Sequence, residues 1–171
     1  MASKLFSLLR RMMWQAAGAA FGAAMLVLPA AGAHAQSSCT LVVGHYVEHA
    51  VQENCTSPVG LCIAGEYAGV IKGAFEGSAT SLVPTADTPT TGVLLFTSDS
   101  VIHARIKGKE GNLIIKNTGA FNTGGDGDIV DLQRIVGGTG QLAGATGALR
   151  ASGTFVAGSG ESEYIGSICL P

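Results

Sequence analysis

The chain has 171 residues, with 12 acidic side chains against 10 basic ones and a formal charge of −2. Charged residues make up only 13% and lysine and arginine never cluster, so the basic surface needed for nucleic acid or an anionic membrane is missing. The length accommodates one domain with a single core.

The N-terminus reads as a leader rather than as part of a fold. Lys4, Arg10 and Arg11 supply positive charge, an apolar stretch runs from Ala16 to Ala31, and Ala33-His34-Ala35 is a small-x-small cleavage site. This pattern predicts a secretory signal peptide over residues 1–35 and a mature domain over 36–171. The apolar stretch is short and glycine-rich for a membrane anchor, which needs ~20 residues. Arg10-Arg11 begins a twin-arginine signal, but Met13 and Trp14 do not continue it, so ordinary secretion is expected. Cleavage after Ala35 would remove the only Trp, all four Met and three basic residues, leaving seven basic against twelve acidic residues and a formal charge of −5. The destination is the periplasm or the cell exterior.

Cys39, Cys55, Cys62 and Cys169 all follow the leader. An even count in an exported chain favours disulfides over free thiols. Three connectivities are possible. Cys55–Cys62 is favoured, because it closes a small loop around Pro58 and Gly60, and Cys39–Cys169 then ties the chain ends together. The Cys-x6-Cys spacing does not suit a zinc ribbon. Asn54-Cys55-Thr56 is a formal glycosylation sequon, relevant only to a eukaryotic route.

The first mature element contains His45, Glu48 and His49, an H-x-x-E-H pattern shared with inverted zinc peptidases. Zinc chelation by that pattern needs a helix, where residues four apart are neighbours. Val42, Val43, Val47 and Val51 favour a strand instead, which would put the two histidines ~13 Å apart at about 3.3 Å per residue. No metal site is expected, and Tyr46 and Glu48 fall on the face opposite the histidines.

Further strands are predicted at 65–79, 92–96, 100–107, 112–116, 129–136, 148–157 and 164–170, after a first at 41–51. They are β-branched runs separated by Gly, Asn, Asp, Thr and Pro, and eight at this spacing read as an all-β barrel or sandwich. In GEYAGVIKGAFEG, residues 65–77, period-2 alternation puts Tyr67, Ile71 and Phe75 on one face with the glycines and Glu66, Lys72 and Glu76 on the other. The first face reads as inward, and its glycines permit strong coiling. In VIHARIKG, His103 and Arg105 share a face, and with Glu66 or Glu76 across the sheet they are expected to form a polar cluster inside the barrel. Asp99, Ser100 and His103 are too close in sequence on one strand to converge as a hydrolytic triad, and no G-x-S-x-G elbow is present. Asp126, Asp128 and Asp131 carry part of a calcium-loop spacing without the final Glu, and a solvated hairpin is expected there.

Ile135 to Phe155 reads IVGGTGQLAGATGALRASGTF. This segment resembles the signature of allene oxide cyclase-like barrels and dirigent proteins, and Tyr46–Ala50, Thr80–Val93 and Gly119–Asp128 are similar to bacterial exported members of that superfamily. The resemblance implies an eight-stranded antiparallel barrel with a largely apolar interior, frequent homo-oligomerisation, and no metal or cofactor. The activities it implies are metal-free: an isomerase or cyclase reaction on a fatty-acid epoxide, or steering of phenoxy-radical coupling. Where dirigent segments carry Asp and Arg this chain has Gln141 and Thr146, so no catalytic residue is carried over. The glycines of GGTG suit a tight reversal, with Leu142 and Ala145 plugging the barrel end. The functional expectation is a small apolar ligand, lipid-like or phenolic, in the barrel. The alternative is a non-catalytic protein of the cell exterior whose barrel is filled by its own side chains, including Ile71, Phe75, Leu94, Phe96, Ile102 and Phe155.

Overall fold

A computed structural model describes residues 38–171. The leader expected over 1–35 lies outside the described residues. Eight strands follow in order: β1 (Ser38–Val51), β2 (Cys62–Gly69), β3 (Gly73–Pro84), β4 (Val93–Ile106), β5 (Lys109–Asn122), β6 (Asp128–Gly138), β7 (Thr146–Val156) and β8 (Ser159–Leu170). Each pairs antiparallel with the next, and β8 returns to β1, closing the barrel. Between β3 and β4 lies one helical turn, α1 (Thr88–Thr91), and a 3₁₀ turn (Gly140–Leu142) links β6 to β7.

Two boundaries differ from the sequence reading. Residues 65–79 are not one strand but the end of β2 and the start of β3, joined by Val70-Ile71-Lys72. Gly69 (φ 113°) and Gly73 (φ 139°) flank this corner in conformations that side chains rarely adopt. Alternation continues through the corner, so the facing was right: Tyr67, Ile71 and Phe75 are buried, while Glu66, Lys72 and Glu76 are exposed. Conversely, 92–96 and 100–107 are one strand, β4. Thr97-Ser98-Asp99 looks like a turn by composition, yet Ser98 and Ser100 are buried inside, where both oxygens accept hydrogen bonds from Asn117 Nδ2 at 3.0 Å.

The interior has a closed end and an open one. At the closed end the β2–β3 corner folds Ile71 inward, and the Ile71 backbone N–H donates to the Tyr164 hydroxyl at 3.0 Å. From the β6–β7 link Leu142 and Ala145, both fully buried, plug the same end. Aliphatic side chains of six strands fill the space between them, among them Val42, Ile102, Leu113, Ile135, Leu149 and Ile168.

Both disulfides are formed. Cys39 and Cys169 face each other across the β1–β8 seam, the register at which the barrel closes. Cys55–Cys62 pins the loop between β1 and β2. Two bridges and no free thiol among the described residues are the state of a chain in an oxidising compartment.

Candidate functional site

The open end is a pocket with an aromatic rim and a polar belt beneath it. Phe96 of β4, Phe121 of β5, Ile129 of β6 and Phe155 of β7 line the mouth with Leu61 and Ile63, while Tyr46 and Glu48 of β1 and Ser98 form its floor. Small residues make this geometry. A Cβ on Gly119 would sit 2.7 Å from the Phe96 ring, and one on Gly160 would sit 3.0 Å from the Phe155 ring and 3.3 Å from Glu48 Cγ. These two glycines therefore admit the rings and the Glu48 stem. The pocket is small, with a volume of about 60 Å³.

The belt is a hydrogen-bonded network with loose ends. The Tyr67 hydroxyl donates to Gln133 Oε1 at 2.9 Å, and Gln133 Nε2 donates to Asp131 Oδ2 at 3.0 Å. Tyr46 stacks on Tyr67 with ring centroids 4.8 Å apart, and Phe75 meets both rings edge-on. Among the described residues, four buried side-chain atoms have no hydrogen-bonding partner: Glu48 Oε1, Asp131 Oδ1, Asn117 Oδ1 and Ser162 Oγ. Glu48, Asn117 and Ser162 are exposed by only 7%, 9% and 4%, so water in bulk does not serve them.

Burial sets the protonation of this cluster. It pushes the Glu48 carboxyl up to about 7, with Asp131 adding repulsion. Asp131 is pushed up to about 6 by burial, against the opposing hydrogen bond from Gln133. Burial likewise raises the hydroxyls of Tyr46 and Tyr67, so both stay protonated donors at neutral pH. A carboxyl poised near neutrality can hold or release a proton at the floor of an apolar mouth.

The residues singled out from the sequence fall elsewhere. His103, Arg105 and Glu66 do gather, but on the outside, where they line a shallow groove with Lys72 and Glu110. The expectation of an interior cluster is corrected: Ile102, Ala104 and Ile106 take the inward positions of β4, so the residues between them point to solvent. There His103 Nδ1 lies 2.9 Å from Asn112 Oδ1, and Arg105 pairs with Glu110 at 2.6 Å. His45 and His49 are exposed on the outer face of β1, and Glu48 alone of the H-x-x-E-H set points inward. Asp126 and Asp128 are exposed, whereas Asp131 belongs to the interior belt.

The belt was missed because β1 and β6 are apolar on both faces. Leu41, Val43 and Val47 are 68%, 46% and 51% exposed, so hydrophobicity could not say which parity of β1 was inside. A signal did exist in β6, where Asp131 and Gln133 share parity with Ile129 and Ile135.

No family model and no curated protein matches the chain. Among solved structures it is similar to a pterocarpan synthase dirigent protein, with 15% identity and a TM-score of 0.34 over 84% of this chain and 94% of that one.

Proposed function

We propose that this is an exported barrel protein whose open end binds a small, largely apolar molecule carrying one polar group. The carrying observation is the unpartnered buried Glu48 Oε1 lining a pocket rimmed by phenylalanines, with further unpartnered atoms of Asp131, Asn117 and Ser162 in the same barrel interior. Buried polar groups are normally satisfied, and a ligand with a polar end would satisfy Glu48 Oε1 while its apolar part covers the rim. The resemblance of Ile135–Phe155 to allene oxide cyclase-like and dirigent barrels supports an interior site, and the two disulfides support export. Glu48 is the group through which an isomerase-type proton transfer would run, since its proton is mobile near neutral pH.

A second reading, a barrel filled by its own side chains, is favoured by the small volume at the floor. Native mass spectrometry of the protein recovered from its own compartment, with a thermal-shift panel of small aromatic and aliphatic compounds, separates the two. Ligand binding predicts a retained mass or a stabilised protein, about 2.7 kcal/mol at 100-fold excess over Kd. It also predicts loss of that gain in Ile129→Trp, whose larger ring fills the mouth. A protein that carries no bound mass and answers to nothing in the panel is the filled barrel.

A further inference from the structure

The polar belt has an electrical character that narrows the ligand. Of the four unpartnered buried atoms, the Asn117 carbonyl oxygen is an acceptor, the two carboxyl oxygens are acceptors only once ionised, and the Ser162 hydroxyl can donate as well as accept. The donors available inside are already committed in part: Tyr67 to Gln133, Gln133 to Asp131, and the Asn117 amide to Ser98 and Ser100. Among the described residues no cation faces them. Lys72, Arg105, Lys107, Lys116, Arg134 and Arg150 are exposed on the outer surface, and Lys109 sits at the closed end, where its Nζ donates to the Pro171 carbonyl. His45, His49 and His103 are exposed as well. The titratable groups facing Glu48 are its neighbour Tyr46 on β1, Tyr67 on β2 and Asp131 on β6, while Tyr164 on β8 packs tilted against Tyr67. All of them are acidic, and β3 presents Phe75.

We propose that the mouth selects an organic ammonium ion, a primary amine on a short apolar stem, with Glu48 Oε1 accepting its N–H groups and the Asp131 carboxyl beside Glu48 adding negative charge. An ammonium is a pure donor and brings the positive charge that the interior lacks. Its stem would lie among Phe96, Phe121 and Phe155, and the face of Tyr46 adds cation–π attraction. The pocket volume corresponds to roughly four to six water-sized groups, which suits the amine end and the start of its stem, with the remainder of the molecule outside the mouth. A carboxylate ligand would meet only like charge. This proposal rests on the binding reading above and names the chemistry of its ligand. Binding a cation favours the ionised carboxyls, so protons leave as the amine enters.

The test is calorimetric titration of the purified protein with three probes of one shape: 2-phenylethylamine, 2-phenylethanol and 3-phenylpropanoate. The amine is expected to bind at least about tenfold more tightly at about pH 8 than at about pH 5.5, because the Glu48 carboxyl ionises between them. The alcohol should be weaker and insensitive to pH, and the carboxylate silent. Glu48→Gln and Asp131→Asn, each checked by circular dichroism, should weaken the amine about tenfold or more, and by more than they weaken the alcohol. If the alcohol binds as tightly as the amine, or if neither variant affects the amine, ammonium selection is wrong while the binding reading survives. If none of the three binds at any pH, both fall, and the belt is satisfied by water alone.

Discussion

Glu48 is the side chain on which most of the site's behaviour turns. Its carboxyl rises from 4.5 to about 7 because burial penalises the charged form, and Asp131 moves the same way, to about 6. A folded-state value above the unfolded one means that the native protein binds extra protons between the two. Stability is therefore fullest below about pH 4.5 and declines as pH rises through about 7. Moving the carboxyl from 4.5 to about 7 corresponds to roughly 3 kcal/mol. Urea unfolding should accordingly show the protein weaker at pH 8 than at pH 5. Glu48→Gln, neutral throughout, should gain up to roughly 3 kcal/mol over the parent at pH 8 and nothing at about pH 4. A parent protein with a flat profile from pH 5 to 8 would contradict the burial of an ionisable Glu48.

The connecting elements decide which end of the barrel is shut. Leu142, on the 3₁₀ turn between β6 and β7, is fully buried at the closed end and is no part of the mouth. Leu142→Ala removes buried methyl groups and leaves a cavity, so it should cost about 2–5 kcal/mol in chemical unfolding. Ligand affinity at the opposite end should be kept, provided the experiment is done below the lowered melting temperature. The turn works because Gly138 and Gly140 admit close backbone: a Cβ on Gly138 would collide with the Leu142 carbonyl oxygen, and Gly140 sits at φ 59°. The plugging role of Leu142 and Ala145 could be read from GGTGQLAGA, since two apolar residues in a glycine-rich reversal have nowhere else to be buried. The β2–β3 corner could not be read that way. Ile71 keeps the alternation of Tyr67 and Phe75 on either side, so a three-residue reversal leaves the period-2 pattern intact.

For the molecule as a whole, closure is the main fact. A barrel leaves no free strand edge, and the β1–β8 seam that completes it is stapled by Cys39–Cys169 across a sequence separation of 130 residues. Replacing both cysteines by serine should cost about 2–5 kcal/mol, and replacing Cys55 and Cys62 should cost less, because their loop spans only 7 residues. Guanidinium unfolding of the two double variants checks the order. Both should keep a β-type circular dichroism spectrum, because β1 and β8 remain joined by a continuous ladder from Ser38 to His49.

Composition, glycine spacing and β-branched runs were enough to specify an all-β chain of eight strands, the inward set Tyr67, Ile71 and Phe75, and a disulfide pattern joining near neighbours and chain ends. These are local or parity properties, carried by residues a few positions apart. The site is not of that kind. Glu48, Asp131, Asn117, Gln133 and Ser162 come from β1, β6, β5, β6 and β8, and apart from the shared parity of Asp131 and Gln133 on β6 nothing in their own neighbourhoods marks them as companions. Only the stagger of the closed sheet brings Tyr46 opposite Ser162, and Asn117 opposite Gln133, and so gathers these polar side chains beneath an apolar rim. Strands with hydrophobic residues on both faces conceal which parity turns inward until the barrel closes.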